Sequence, residues 1–186
     1  MIEELFENNK RTQRTQHVAA DLLVAGGGMA GVCAAIAAAR QGLRVALVQD
    51  RPVLGGNASS EVRLWVLGAT SHMGNNNRWA REGGLLNELL VENTYRNKEG
   101  NPVIFDTVLL DKVLAENNIS LFLNTVVYDI EKKGSRNIAS VTAYNPQNET
   151  RYIFNAKLFC DATGDGLLAY MAGAHYRQGE EDAEEF

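Results

Sequence analysis

Three glycines near the start of the chain have the spacing of a loop that binds phosphate. They lie at positions 26, 28 and 31 in DLLVAGGGMAG, an apolar run that continues into the small residues VCAAIAAARQG. Gly26 allows a tight turn, Gly28 lets backbone approach a ligand, and Gly31 lets a helix pack closely on a strand. A helix that starts here directs free N–H groups at an anion. The segment predicts a dinucleotide pyrophosphate site at Gly26, Gly28, Met29, Ala30 and Gly31.

Side chains that could act on a substrate are concentrated between residues 51 and 84. This segment is rich in Gly, Asn and Ser and shows no sustained period, and loops of such length inside a domain are usually functional or disordered. His72 is the best single candidate for catalysis, because a histidine accepts protons near neutral pH. Arg63 could contact a cofactor or substrate. The alternative for His72 is a structural or exposed histidine, and the alternative for Arg63 is an ordinary ion pair. The candidates are Glu61, Arg63, Trp65, His72, Asn75, Asn76, Asn77, Arg78, Trp79 and Arg81.

A βαβ unit is predicted to position the glycine loop. The strand before Gly26 leads into the alanine-rich helix, which Gly42 is placed to end. Residues 43–50 are almost continuously apolar, which is typical of a strand buried on both faces. The two strands should therefore be parallel, with a right-handed crossover.

Further elements are predicted downstream. Leucines at helical spacing indicate a helix over residues 84–96, and a second helix is expected to start near Asp106 as its N-cap. Residues 119–125 predict a third parallel strand. Short alternating runs, broken at residues 134–135 and 145–146, then indicate a β-meander that returns to the main sheet.

Four segments resemble FAD-dependent oxidoreductases of the glutathione-reductase-like type, which have two dinucleotide-binding domains. They are GGGMAG at 26–31, VALVQDRPVLGG at 45–56, LFLNTVVYDI at 121–130 and FCDATGDGLLAYMAGA at 159–174. The resemblance implies an α/β fold, a Rossmann-like FAD/NAD(P)-binding domain with a central parallel sheet and an inserted antiparallel β-meander. The last segment is the more specific, because nicotinamide-binding Rossmann domains do not ordinarily carry a meander that leads to such a turn. It implies that the FAD pyrophosphate and ribityl chain lie near Ala162, Thr163, Gly164 and Asp165.

The resemblance is incomplete at the end of the second strand. The family usually has a carboxylate there to accept hydroxyl protons from the adenosine ribose, whereas this chain has Gln49, followed by Asp50 and Arg51. An amide can still hydrogen-bond a hydroxyl, but without the charge that strengthens the contact. We expect Gln49 in the ribose site, with backbone at Asp50 and Arg51 helping. A solvated loop residue is the alternative for Asp50.

The loop at residues 54–60 resembles the glycine-serine loop that runs under the flavin in this superfamily. An ordinary turn is the alternative. Val127 lies where relatives hold the adenine edge through backbone groups, although it also fits a plain core residue. Some relatives attach FAD covalently through a histidine near this loop, but Asn57 occupies that neighbourhood, so non-covalent FAD is predicted, and no metal. The implied FAD contacts are Gly55, Gly56, Asn57, Ser59 and Val127.

Composition argues against several other classes of protein. The 186 residues carry a net charge of −5, which gives no general attraction to nucleic acid or anionic membranes. The longest apolar stretch is far shorter than the roughly 20 residues of a membrane span. The polar N-terminus lacks the apolar region of a secretory signal, so a soluble, cytoplasmic protein is expected. Cys33 and Cys160 are interpreted as buried small side chains rather than a redox pair.

These observations predict an N-terminal extension at 1–20, an FAD-binding domain at 21–174, and an acidic tail at 175–186 that leads into an absent substrate domain. The expected function is hydride transfer between FAD and a small organic substrate, and the loop's asparagines and tryptophans are compatible with a sugar-like ligand. His72 would take an alcohol proton as the hydride leaves, and a cationic side chain beside the flavin would favour the reduced ring. The alternative is a non-catalytic nucleotide-binding module, or a subunit that needs a partner chain. A nicotinamide-binding domain without flavin conflicts with the Ala-Thr-Gly-Asp turn.

Overall fold

The chain is built around one six-stranded sheet. We describe residues 13–66, 83–177 and 179 of a computed structural model. The strands are β1 (Arg14–Ala25), β2 (Val45–Val48), β3 (Ile119–Phe122), β4 (Val126–Lys133), β5 (Asn137–Asn145) and β6 (Thr150–Asp161). The helices are α1 (Met29–Arg40), α2 (Gly84–Arg96), α3 (Pro102–Leu114) and α4 (Leu167–Ala172), and Gly56–Ala58 form a short 3₁₀ turn.

The sheet combines a parallel and an antiparallel part in the order β3-β2-β1-β6-β5-β4. Strands β3, β2, β1 and β6 run parallel to one another, whereas β4, β5 and β6 form an antiparallel meander. Strand β6 belongs to both parts, because it pairs with β1 on one side and β5 on the other. The predicted α/β fold with a parallel sheet and a β-meander is confirmed, and the meander extends the main sheet instead of forming a separate one.

Strand β1 begins seven residues before the predicted start of the FAD-binding domain. Residues 14–20, assigned from sequence to the N-terminal extension, pair with β6 from Arg14 opposite Thr150 to Ala20 opposite Ala156. Most of these residues are exposed, so they carry no apolar pattern that could have revealed a strand. Backbone pairing with β6 holds this part of β1 in the sheet.

Helix α3 also begins earlier than predicted. Its N-cap is Asn101, whose side chain accepts the N–H of Val103, and Pro102 occupies the first turn. Asp106, the predicted N-cap, lies inside the helix and is buried. The sequence pattern was wrong here because an acceptable capping residue also stood one turn further along.

The core lies on both faces of the sheet. Alternate residues of β1 and β2 point to opposite sides: Val24 and Leu47 pack with helices α1 and α3, whereas Leu23 and Val48 belong to a second cluster. That second cluster contains edge-to-face contacts between aromatic rings and is closed by Leu168 of α4. Burial on both faces accounts for the continuous apolar runs of β1 and β2.

Among the described residues, no helix has the length and apolar character needed to span a membrane.

Cys33 and Cys160 are both half-buried, and burial raises the pKa of each thiol.

Candidate functional site

A groove of about 900 Å³ lies where the parallel strands end. Its walls are the segments that follow β1 and β6, the loop after β2, and the start of β4. In open α/β sheets, ligands bind at the carboxyl ends of the strands, where the strand order reverses direction. Here β2 and β3 lie on one side of β1 and β6 lies on the other, so the groove occupies that position.

Two of the three motif glycines are required by the protein's own packing. Gly26 has φ +100°, and a Cβ there would stand 2.3 Å from the carbonyl oxygen of Ala162. A Cβ on Gly31 would stand 1.8 Å from the carbonyl oxygen of Gly26. Neither position accepts a side chain, because backbone lies in its place. These contacts bring the start of α1 close to the ends of β1 and β6.

The third motif glycine is different, because nothing in the described protein requires it. Gly28 is the N-cap of α1 with φ −66° and ψ 178°, a conformation open to any residue. A Cβ there would approach the protein no closer than 4.0 Å, at the Cα of Gly56, and would project into the groove. The absence of a side chain at Gly28 therefore keeps space in the groove itself.

The N-terminus of α1 offers backbone donors at this point. The first helical bond runs from the N–H of Val32 to the carbonyl of Gly28, and Gly28 supplies no side-chain cap. The N–H groups of Met29, Ala30 and Gly31 precede that bond and so have no partner within the helix. Met29 and Ala30 line the groove. Such an uncapped helix start suits an anion.

The Gln49 side chain, expected in the ribose site, is buried and has two backbone partners. Its Oε1 accepts the N–H of Gly27 at 2.7 Å, and its Nε2 donates to the carbonyl of Val53 at 3.3 Å. The N–H of Gly55 in turn donates to the carbonyl of Gly27 at 2.8 Å. Gln49 therefore lies between the glycine loop and the loop after β2, and it also lines the groove.

The loop after β2 is fastened by side chains at both ends. Arg51 donates two hydrogen bonds to the Glu61 carboxylate, at 2.9 and 2.8 Å. These bonds lower the pKa of Glu61 and raise that of Arg51. The buried Asp106 carboxylate on α3 accepts the N–H of Ser60 at 2.9 Å. Asp106 is thus a positioning residue, whereas its sequence context predicts only a helix cap.

The turn after β6 is organised by a carboxylate that precedes the Ala-Thr-Gly-Asp motif. Asp161 accepts the hydroxyl of Thr163 at 2.7 Å and the N–H of Ala169 at 3.0 Å, while the Thr163 hydroxyl oxygen accepts the N–H of Leu167. Burial acts to raise the pKa of Asp161, but these donors outweigh it and hold that pKa below its usual value. The turn therefore depends on an ionised Asp161, a residue that is not among the predicted site residues.

Fifteen of the predicted cofactor contacts come together along this groove, although they derive from four separate parts of the chain. They are Gly26, Gly28, Met29, Ala30, Gln49, Asp50, Arg51, Gly55, Gly56, Asn57, Val127, Ala162, Thr163, Gly164 and Asp165.

The remaining predicted site residues lie elsewhere. Gly31 is buried in the packing beneath the groove, and Ser59 is buried with its hydroxyl accepting the N–H of Glu61 at 3.3 Å. Arg63, a predicted catalytic residue, lines a neighbouring cavity of about 380 Å³, and its Nε donates to the carbonyl of Ser60. Leu64 and Trp65 line both the groove and this cavity. His72 lies outside the described residues.

Several residues of the groove were not predicted as contacts. Thr125 and Val126, immediately before Val127, line the groove, and the N–H of Thr125 donates to the carbonyl of Gln49 at 2.9 Å. Both residues follow β3 at the carboxyl edge of the parallel strands, and this position in the sequence could have identified them as groove residues. The others are Ala25, Val48, Ala58, Val62, Leu64, Val66 and Leu167. Glu61 and Trp65 also line the groove, and the sequence predicted them only as candidates for chemistry on a substrate.

Charge at the groove does not by itself attract an anion. Within the described residues, its lining contains three acidic side chains, Asp50, Glu61 and Asp165, and one basic side chain, Arg51, which is paired with Glu61. An anion would therefore depend on backbone N–H groups. The described residues also contain no group of three or more His, Cys, Asp or Glu that could hold a metal ion.

The fold and the groove together define a dinucleotide-binding domain of the Rossmann type, with a meander and a second glycine turn. The family described as FAD dependent oxidoreductase matches residues 21–186, and this chain belongs to that family. FAD is therefore the dinucleotide that the domain's family uses, and the predicted resemblance is confirmed. No curated protein matches the sequence.

Solved structures share the fold at low sequence identity. Adenylylsulfate reductase from Archaeoglobus fulgidus is 17% identical, with a TM-score of 0.51, over 81% of this chain and 31% of its own. Sdh1 from Mycobacterium smegmatis is 18% identical, with a TM-score of 0.53, over 80% of this chain and 34% of its own. PqsL from P. aeruginosa, as a variant, is 14% identical, with a TM-score of 0.53, over 89% and 48%. The chain thus spans less than half of each of these proteins.

Proposed function

We propose that the groove binds FAD non-covalently and that the domain serves an oxidoreductase. The pyrophosphate is held by the N–H groups that begin α1, between Gly28 and the turn at Gly55 and Gly56. The adenosine lies toward Arg51 and Val127, and the ribityl chain toward Asp165. The chemistry of the bound FAD is acceptance or donation of a hydride.

The observation that supports this assignment most directly is the open space at Gly28. The surrounding described protein would tolerate a side chain there, yet a side chain would enter the groove. A backbone that must approach a ligand closely is a sufficient reason for glycine at such a position. Gly26 and Gly31, by contrast, are explained by packing alone.

The substrate is proposed to be a small organic molecule, with sugar-like ligands compatible with the asparagines and tryptophans of the loop after β2. His72 and Arg63 are the proposed catalytic residues, His72 as the group that exchanges a proton and Arg63 as a cationic contact. Support for Arg63 is its place in the cavity that adjoins the groove. The exposed Trp65, which lines both spaces, is a candidate for stacking against a ring.

Substitution of Gly28 tests the proposal. Gly28→Val should abolish FAD binding without changing the thermal midpoint of the apoprotein, because the new side chain meets ligand space and not protein. FAD binding is measured by titration with visible absorbance and by retention after gel filtration. Gly83→Val is the matched control, because Gly83 is also an extended helix N-cap, with φ −95°, and a Cβ there would meet none of the described residues within 4 Å.

The outcomes separate the proposal from its alternatives. Wild-type protein that takes up FAD, together with a Gly28→Val variant that does not, supports the assignment. Unchanged FAD affinity in Gly28→Val, or a wild-type protein that binds NAD but never FAD, would overturn it. Denaturation should release all flavin into solution, and colour that stays with the precipitated chain would contradict non-covalent binding.

A further inference from the structure

We propose that Gln49 is a positioning residue: its amide fastens the two glycine loops of the groove together and does not read the adenosine ribose. This inference rests on the proposed function, because it concerns how the FAD groove is shaped. It differs from the expectation that Gln49 replaces the ribose-binding carboxylate of related flavoproteins.

Both polar atoms of the Gln49 side chain already have backbone partners. The N–H of Gly27 lies 2.7 Å from Oε1, and the carbonyl oxygen of Val53 lies 3.3 Å from Nε2. The orientation of the amide follows from its partners, since the N–H can only donate and the carbonyl can only accept. The residue at this position must therefore supply one acceptor and one donor at once.

Backbone contacts keep residue 49 in this place. Its N–H donates to the carbonyl of Phe122, and its carbonyl accepts the N–H of Thr125, both at 2.9 Å. Gln49 as a whole residue is only 5% exposed. A rotation toward the ribose would leave the buried Gly27 N–H without its partner, at a cost of about 1–3 kcal/mol.

The Gln49 bridge sets the distance between two walls of the groove. Gly27 is bonded to Gln49 through its N–H and to Gly55 through its carbonyl, and Gly28 pairs with Gly55 as an isolated parallel bridge. The loop after β2 therefore meets the start of α1 through a continuous set of hydrogen bonds that passes through the Gln49 amide. Loss of this bridge would loosen the walls without removing any atom that contacts the ligand.

A glutamate at position 49 tests the need for a donor. At about pH 8 the Gln49→Glu carboxylate would face the Val53 carbonyl with no proton to share, so FAD affinity should fall about tenfold or more. A neutral carboxylic acid restores one donor and one acceptor, so affinity should recover as the pH is lowered to about 5. The other titratable groups along the groove are Asp50, Arg51, Glu61 and Asp165. These groups are common to wild type and variant. The difference between the two curves of FAD affinity against pH therefore reports the protonation of residue 49.

A methionine at position 49 tests contact with the ribose. Gln49→Met keeps length and volume but removes both hydrogen-bonding atoms, so affinity for ADP and for its 2′-deoxy analogue should fall by the same factor. If Gln49 touched the hydroxyl, wild-type protein would prefer ADP to its 2′-deoxy analogue and the variant would lose that preference. The matched controls are Gln41→Glu and Gln41→Met at the exposed far end of α1, which should leave every affinity unchanged.

These measurements separate the Gln49 inference from the proposed function. Wild-type protein that binds neither FAD nor ADP contradicts the FAD site itself. A second outcome is that wild-type protein binds both FAD and ADP, while Gln49→Glu binds FAD more tightly than wild type at about pH 8. This outcome overturns the positioning role of Gln49 and leaves the FAD site intact. A deficit in Gln49→Glu that is independent of pH, or loss of the ADP preference in Gln49→Met, overturns the positioning role as well.

Discussion

The groove and the outer helical layer hold the chain together in opposite ways. At the groove, backbone meets backbone: Gly55 bonds to Gly27, and the N–H of Ala162 donates to the carbonyl of Ala25 at 2.8 Å. In the helical layer, side chains meet in solvent, and Arg40 on α1 binds both Glu88 on α2 and Glu116 after α3. A single added carbon atom at Gly26 or Gly31 should therefore destabilise the fold around the groove. The helical layer should tolerate the exchange of whole charged side chains.

The largest effect is expected at Gly31. Gly31→Ala places a Cβ 1.8 Å from the carbonyl oxygen of Gly26, so α1 must move away from β1. Overpacking of this kind destabilises by typically 1–3 kcal/mol and occasionally more, and contact with rigid backbone places the loss at about 3 kcal/mol or above. Urea denaturation of the apoprotein, followed by circular dichroism, measures it.

Gly83→Ala controls for substitution of a glycine as such, because no atom of the described residues lies within 4 Å of a Cβ at that position. A Gly31→Ala protein with the wild-type unfolding midpoint would show that the backbone contact at Gly31 is soft, and the contrast between groove and helical layer would weaken.

A smaller effect is expected from Asp161→Asn. The amide cannot accept all the N–H and O–H groups that the carboxylate accepts, and charged hydrogen bonds contribute about 1.5–3 kcal/mol. FAD affinity should fall about tenfold, because the turn that lines the groove loses its anchor. Titration with FAD measures this, and Asp129→Asn on the exposed part of β4 is the matched control.

The dependence on pH gives a second test of Asp161. Its folded pKa is lowered, so its contribution to stability is present above the ordinary carboxyl range and is lost as the pH falls through the folded pKa. Wild-type protein should therefore lose FAD on acidification more steeply than Asp161→Asn does. Parallel acid curves for the two proteins would contradict a role for the ionised form.

The smallest effect is expected in the helical layer. The hydrogen bond from Arg40 is the main cause that lowers the pKa of Glu88 from 4.5 to about 2; burial opposes this, and the hydrogen bond from Lys112 adds to the lowering. The contribution to stability is present above about pH 4.5 and is lost as the pH falls toward 2. The pair is solvent-exposed, so Glu88→Gln should cost about 1 kcal/mol or less near neutral pH.

Thermal unfolding across pH measures this contribution. Glu88→Gln should flatten the acid limb of the stability curve, whereas Glu99→Gln, on an exposed turn, should leave it unchanged. A loss as large as that of Gly31→Ala would show that the helical layer is as intolerant of change as the groove.

Local patterns account for the parts that were predicted well. The spacing of Gly26, Gly28 and Gly31 reports the steric needs of one turn, and the apolar runs at residues 21–25 and 45–48 report strands buried on both faces. The first half of β1 was missed because its residues are polar and exposed, and its pairing with β6 joins positions more than 130 residues apart in the chain. No local pattern contains that pairing.

The roles of residues in the groove also divide into those given by local sequence patterns and those given by contacts between distant parts of the chain. The sequence by itself predicted a dinucleotide turn at Gly26, Gly28 and Gly31, because that turn depends on short-range backbone geometry. The link between this turn and residues 162–165 was implied by the resemblance to flavoproteins and not by local geometry. Only the tertiary structure decided that Gln49 bonds to Gly27 and Val53, that Asp106 holds Ser60, and that Asp161 orders the final turn. Hydrogen bonds select their partners by position in space, and three of these join residues that are four or more apart along the chain. A residue's type states what it can donate or accept, while the fold determines which group it meets.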